Sequence, residues 1–439
     1  MNISLKDFLR LEVTPALGCT EPVAVALAAA AAASLLPRDE IVSLEVWTDP
    51  NIFKNGLGVI IPGTGGLRGL DVAAGLGALG GDPHKKMEVL SDTTPKIVAQ
   101  AKEMASSGRI AVHLSPEQSG LYIRCRVSTR EHTAEAVIQT FHERIVSLHL
   151  DQEPVEDSPL LESPSRARTG VQVADVEAWL SQSSLADLLH RLPELDTEDL
   201  EFLEQGVEMN LRLADYGLRH QTGMGVGRAL DGLLQKGWLC SDPLLSARKL
   251  TAAAADARMS GADLPAMSSA GSGNNGLTAM LPVWAVQQWA DADKRLFLEG
   301  VCLSHLVTGL IKAHIGRLSA LCSCSIAAGA GASAGIVHLL GGRRAEIATA
   351  VVNLLEDLAG VFCDGAKPAC ALKLSTAAGS AVQSAMLALS GVAVSPIEGI
   401  AGADAEDAIR HLGRISREGT SELSSALLRI MLGKLDSKP

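Results

Sequence analysis

Three stretches of the chain set cysteines where a thiolate could act. Cys19 precedes Thr20-Glu21-Pro22 and a run of alanines, so it would stand at a helix N-terminus, where unsatisfied N–H groups and the helix dipole favour the thiolate form. That suits a metal ligand or a nucleophile. Cys322 and Cys324 stand just before a second small-residue helix. As alternate residues of an extended turn they would face opposite ways, so only one would serve a given centre. Cys363 comes before an Asp-Gly turn, and Cys370 follows Lys367-Pro368. Thiolates favour zinc or an iron–sulfur cluster over hard cations. The spacing matches no CxxC pair, ferredoxin run or zinc ribbon, so local pattern does not name the metal. Cys125, Cys240 and Cys302 sit singly among apolar neighbours and read as small core residues.

Two polar loops could receive a small ligand. MSSAGSGNNG (267–276) gathers Ser268, Ser269, Gly271, Ser272, Gly273 and Asn274 ahead of a helix, where backbone N–H groups could hold a carboxylate. No Gly-Lys-Ser or Gly-Lys-Thr follows, so it is not a nucleotide P-loop. NIFKNGLG (51–58) brings Lys54 together with Asn51 and Asn55, a pocket for a small zwitterion. Either loop is also a sensible tight turn. His305, His314 and His338 fall on apolar helical stretches and read as core or surface histidines.

Elements that could position these groups follow from periodicity and punctuation. Residues 1–37 read as helix, broken at Val13–Gly18 and restarted at Thr20 and Pro22. Ile41–Thr48, Ile110–Leu114 and Leu121–Val127 read as strands, with helices near Leu70–Leu79 and Pro95–Ser107, and Asn51–Gly66 reads as a loop. The fold class expected is α+β: a small α/β unit near the N-terminus and a large, mainly helical domain rich in Ala and Gly. The expected boundaries are 1–150 for the first unit, 151–170 for a linker rich in Pro, Ser and acidic residues, and 171–439 for the helical domain, with the Cys19 helix packing on it.

Composition limits the function. The chain has 439 residues, of which 47 % are hydrophobic and 20 % charged, with a formal net charge of −12. This argues for a sizeable core and against disorder, nucleic-acid binding or attachment to an anionic membrane. The start lacks the pattern of a secretory signal. The apolar stretches Pro22–Pro37 and Leu318–Gly342 are too short or too rich in small residues to insert well, and read as buried helices. Eight cysteines without a leader fit reduced thiols and a cytoplasmic location. A small-molecule substrate is expected, and a homo-oligomer is left open.

The strings PALGCTEPVAVALA (15–28), NIFKNGLGVIIPGT (51–64), AMSSAGSGNNGLTA (266–279), LCSCSIAAGAGASAGIV (321–337) and CDGAKPACALK (363–373) resemble, in order, the L-cysteine desulfidase family, which is related to the α-domain of iron–sulfur L-serine dehydratases. The resemblance implies a serine-dehydratase-α-like helical domain and a 4Fe–4S cluster held by three cysteines, with one iron open to substrate and no pyridoxal phosphate. By motif the ligands would be Cys19, Cys324 and Cys363, with Cys370 and Cys322 in reserve. It further implies β-elimination of L-cysteine to sulfide, ammonia and pyruvate. The carboxylate would go to the Ser268–Asn274 loop and the polar head group also to Asn51 and Asn55. Lys54 and Lys367 are the candidate bases, since a lysine desolvated beside a cationic centre titrates near neutrality. Alternatives are dehydration of L-serine or another β-substituted amino acid at the same cluster, and a non-catalytic amino-acid-binding member.

Overall fold

The computed structural model describes residues 3–37, 40–118, 120–161, 171–317 and 319–436; the last nine residues of the expected linker, 162–170, lie outside them. Leu5–Glu12 forms the first helix, started by a reciprocal pair of hydrogen bonds between Ser4 and Asp7. A two-residue strand β1 (Pro15–Ala16) follows, and Cys19 then begins the helix Thr20–Ala33 without any side-chain capping bond. That helix is buried on all sides, which its alanines permit. It lies between the helix Leu70–Gly80 and a sheet made of β2 (Ser43–Thr48), β3 (Ile110–Leu114), β4 (Tyr122–Ser128), β5 (Thr133–Gln139), β6 (Ile145–Leu150) and β7 (Glu153–Pro154). The strand order is β3-β2-β4-β5-β6-β7, and only β2 and β3 run parallel.

Alternate residues of β2, β4 and β5 are buried, so one face of the sheet covers the alanine helix and the other is wetter. The expected strands and helices of this unit are present within a residue or two. Strands β5 and β6 add to them, and the expected loop at Asn51–Gly66 begins inside a short helix, Pro50–Gly56, whose N-terminus is capped by Asp49. The Cys19 helix differs from expectation. It packs on the sheet and on Leu70–Gly80 rather than on the helical domain, because its alanines present no ridge large enough to reach further; only its Cys19 end joins an apolar cluster with Leu213, Ala254, Leu277 and Leu374. The first helix, through Ile3, Leu5, Phe8 and Leu9, belongs instead to the core of the helical domain.

Beyond residue 171 the described chain is helical apart from β8 (Ala266–Met267), which pairs antiparallel with β1. The central helices are Lys294–Ile315 and Ala327–Leu339, flanked by Pro243–Met259, Gly273–Gln287, Arg344–Leu358 and Cys370–Leu389. Lys294–Ile315 is long and apolar enough to cross a membrane, but 83 % of its apolar window is buried inside the fold, so its apolarity serves the core. Small residues let the two central helices approach backbone to backbone: a Cβ on Gly335 would strike the Gly300 carbonyl, and one on Gly331 the Ser304 carbonyl.

Replacing Gly335 by Ala should therefore push apart the helix pair that carries the Cys322–Cys324 turn. Urea unfolding is expected to show a loss of about 1–3 kcal/mol, the usual cost of overpacking a core. An unchanged midpoint would mean that the helices separate freely there.

Candidate functional site

Five cysteines from three distant segments line one cavity of about 110 Å³: Cys19, Cys322, Cys324, Cys363 and Cys370. An isolated antiparallel bridge between Leu321 and Phe362 brings two of these segments together, with Cys322 N–H donating to Val361 O at 2.8 Å and Cys363 N–H to Ala320 O at 2.6 Å. The chain after Cys322 coils immediately, since Ser325 and Ile326 both donate to the Cys322 carbonyl. The turn is thus not extended as expected, and the Cys322 and Cys324 sulfurs lie on the same side, 3.5 Å apart. Cys370 opens its helix through a turn in which its N–H donates to Lys367 O at 2.9 Å.

Cys322, Cys324, Cys363 and Cys370 are close enough for their thiolates to repel one another. Cys322 ionises most readily, its pKa lowered to about 6 because Cys324 and Ser325 can donate to its sulfur; Cys324 is correspondingly raised, and burial pushes up Cys363 and, to about 11, Cys370. Cys19 stands apart. Its thiol donates to Glu21 Oε2 at 2.9 Å, and burial followed by the Glu21 carboxylate raises its pKa, so the helix N-terminus does not make it a ready thiolate. Burial also pushes Glu21 up, but His142 and hydrogen bonds from Cys19 and Asn55 hold it below the ordinary carboxylate value.

Around the thiols lies a ring of charge that local motifs did not disclose. His142, from the turn between β5 and β6, enters the cavity with a buried Nε2 that has no partner, and burial lowers its pKa. Arg258 donates to Gly18 O at 2.5 Å and to Asn274 Oδ1 at 3.0 Å, tying the Cys19 turn to the start of Gly273–Gln287. It lies where a Cβ on residue 273 would stand, so any larger residue there must displace the guanidinium. Lys312 and Arg317 complete the wall; Arg317 pairs with Glu12 at 2.5 Å and with Glu177. None of these residues carries a spacing signal: His142 lies in a hairpin turn, Arg258 in a helix, and Lys312 and Arg317 at and just beyond the end of another.

The sequence-predicted ligand residues divide. Gly271, Ser272, Asn274 and Asn55 line the cavity, whereas Ser268 and Ser269 do not. Ser268 instead bonds Thr14 beside the β1–β8 pair, and Ser269 Oγ meets Nδ1 of the buried His305 at 2.8 Å. His305 is held neutral, its pKa lowered to about 3 by burial. Gly273 stands behind Arg258, and Asn51 is occupied with Lys54 at 3.3 Å. Neither expected base lines the cavity: Lys54 is buried against Asn51, and Lys367 is ion-paired with Asp364. Lys373, which does line it, bonds the same carboxylate at 2.6 Å. Burial pushes Asp364 up, yet these two lysines hold it down to about 2. Cys125 and Cys302 are core residues as expected, but Cys240 is exposed, because its segment is a surface connection between helices.

Residues 84–429 match the model of the family described as serine dehydratase alpha chain. The chain belongs to this family. It is 52 % identical to the UPF0597 protein of Desulfatibacillum aliphaticivorans over 99 % of both chains, and 51 % identical to that of Desulfotalea psychrophila over the same shares. A relative from Clostridioides difficile is 40 % identical over 98 % of this chain and 100 % of its own. The family match spans Cys322, Cys324, Cys363 and Cys370 and begins after Cys19. The fold class is the α+β arrangement expected for this serine-dehydratase-like family.

The tether at Arg258 makes a testable pair. Arg258→Met and Gly273→Ala should each destabilise the protein by about 1–3 kcal/mol, since each releases the same buried hydrogen bonds. In a double-mutant cycle by urea unfolding, the combined variant is expected to lose little more than either single one. Full additivity would show that Gly273 does not act through Arg258.

Proposed function

We propose that the protein is a lyase that needs no pyridoxal phosphate and eliminates sulfide from L-cysteine at an iron–sulfur cluster, with pyruvate and ammonia as final products. The observation that carries this reading is the shared cavity, in which soft thiols face cationic and amide groups suited to an amino-acid zwitterion. The donor set fits a cluster. Four thiols line the cavity together, a soft donor set of the kind that an iron–sulfur cluster takes. Cys324 and Cys363 would hold the cluster. Cys370, grouped with them, is favoured as the third ligand; Cys19, which the motif resemblance implies, is the alternative. When bound, such a cluster supplies a Lewis-acidic iron for which a substrate sulfur is a suitable soft ligand.

The chain's own residues bind and orient the substrate. The N-terminus of Gly273–Gln287, with Gly271 and Ser272 beside it and the Arg258 cation close by, offers a seat for the carboxylate. Glu21 and Asn55, hydrogen-bonded to each other in the same cavity, suit the ammonium group. Reduced thiols of this kind require a reducing compartment, and the cytoplasm is our reading.

A second reading rests on the family description: loss of hydroxide from L-serine at the same site. Anaerobic reconstitution with iron and sulfide, followed by assays of sulfide and pyruvate from L-cysteine and of pyruvate from L-serine, separates the two. Equal sulfide and pyruvate from cysteine alone supports desulfidase activity, and pyruvate from serine alone overturns it. Cys324→Ser and Cys363→Ser are expected to lose both cluster absorption and turnover. Cys370→Ser should do the same while Cys19→Ser keeps the absorption; the reverse pattern would make Cys19 the third ligand.

A further inference from the structure

We propose that Lys312 is the base that removes the substrate's α-proton, an inference that rests on the elimination reaction proposed above. Lys312 lines the thiol cavity, as do the Ala270–Ser272 loop and Arg317. It projects from the last turn of Lys294–Ile315 and is only 6 % exposed. Its hydrogen-bond partners are the carbonyls of Gly316, at 2.9 Å, and Arg317, at 2.5 Å. Among the described residues it makes no ion pair with a carboxylate, unlike Lys367 and Lys373, whose charges are fixed by Asp364.

The surroundings favour a proton acceptor. Burial, followed by the adjacent Arg317 cation, lowers the Lys312 pKa to about 8, against the opposing pull of Glu12, Glu177 and Cys324. His142 also faces this group and is itself held neutral by burial. A lysine tuned in this way offers a substantial neutral fraction near physiological pH while remaining a strong base. A second, smaller cavity continues from Lys312 to Glu12 and Glu177. Glu12 is raised to about 7 by burial, partly offset by Arg317, so a carboxyl able to exchange protons near neutrality lies behind the amine.

The step balances. The neutral Lys312 amine takes the α-proton and becomes ammonium, the Cα–H electron pair forms the Cα=Cβ bond, and the Cβ–S pair leaves with the sulfur as hydrosulfide. The product, 2-aminoacrylate, tautomerises and adds water to give pyruvate and ammonium.

Capping of the helix C-terminus by Lys312 is the structural role to be distinguished, and Lys312→Arg does so, because arginine keeps the charge and the carbonyl contacts but cannot give up its proton. The full-length, cluster-reconstituted protein is incubated with L-cysteine in deuterated water, and α-hydrogen exchange is followed by mass spectrometry alongside sulfide release, cluster absorption and L-serine binding. In Lys312→Arg, exchange and release are expected to fall together by about a thousand-fold, with absorption and binding retained. Retention of exchange within tenfold would reduce Lys312 to a helix cap, and loss of exchange in His142→Gln but not in Lys312→Arg would move the role to His142. Wild-type protein that holds its cluster yet neither exchanges nor releases sulfide would overturn the elimination reading, and the base with it.

Discussion

Ionisable groups taken out of water must find partners or stay neutral, and the cavity in this protein is built around that demand. Thiols, two arginines, one carboxylate, a histidine and two lysines line that cavity. The charges are answered by neighbours near and far in the sequence: Arg317 by Glu12 and Glu177, Glu21 by Asn55 and Cys19, Asp364 by two lysines. The remaining cation, Arg258, is held by a carbonyl and an amide oxygen, which leaves positive charge available where a thiolate cluster and a substrate carboxylate would bring negative charge, while Lys312 donates to two carbonyls. Removing one partner would strand the other, so the site behaves as a unit.

Close packing of small residues makes such a convergence feasible. The alanine helix Thr20–Ala33 presents Cys19 at its tip while its body is buried against the sheet, and the glycines of Ala327–Leu339 let that helix approach Lys294–Ile315 to backbone distance. The sheet unit contributes more than support: His142, from a hairpin turn, and Asn55, from a seven-residue helix, reach the same cavity as the cysteines of the helical domain.

What could be read from the residue order was whatever is encoded locally. The three cysteine segments and the Gly271–Asn274 loop are short strings whose composition marks them as sites, and all of them meet. Strands β5 (TAEAVIQ) and β6 (IVSLHL) were not legible, because each mixes its β-branched residues with Ala, Glu, Ser, Leu or His, which favour a strand less, so composition alone does not separate them from helix or loop. Lys54 and Lys367 sit inside the right strings, yet each is turned to a neighbour, whereas Lys312, Arg317, Arg258 and His142 come from ordinary helical or turn sequence and acquire their role only through tertiary contact. The expected opposition of Cys322 and Cys324 failed for a related reason: a helical turn replaced the extended one, and side-chain direction followed the backbone.

The central claim is that thiols gathered in this cavity hold a cluster with an iron reserved for substrate. Mössbauer spectra of anaerobically reconstituted, isotopically enriched protein, recorded with and without L-cysteine, test it most directly. One minority iron site distinct from the rest, changing on addition of L-cysteine while the others stay as they were, is the predicted result. Iron bound as isolated mononuclear sites, or a cluster in which no site responds to the amino acid, would contradict it.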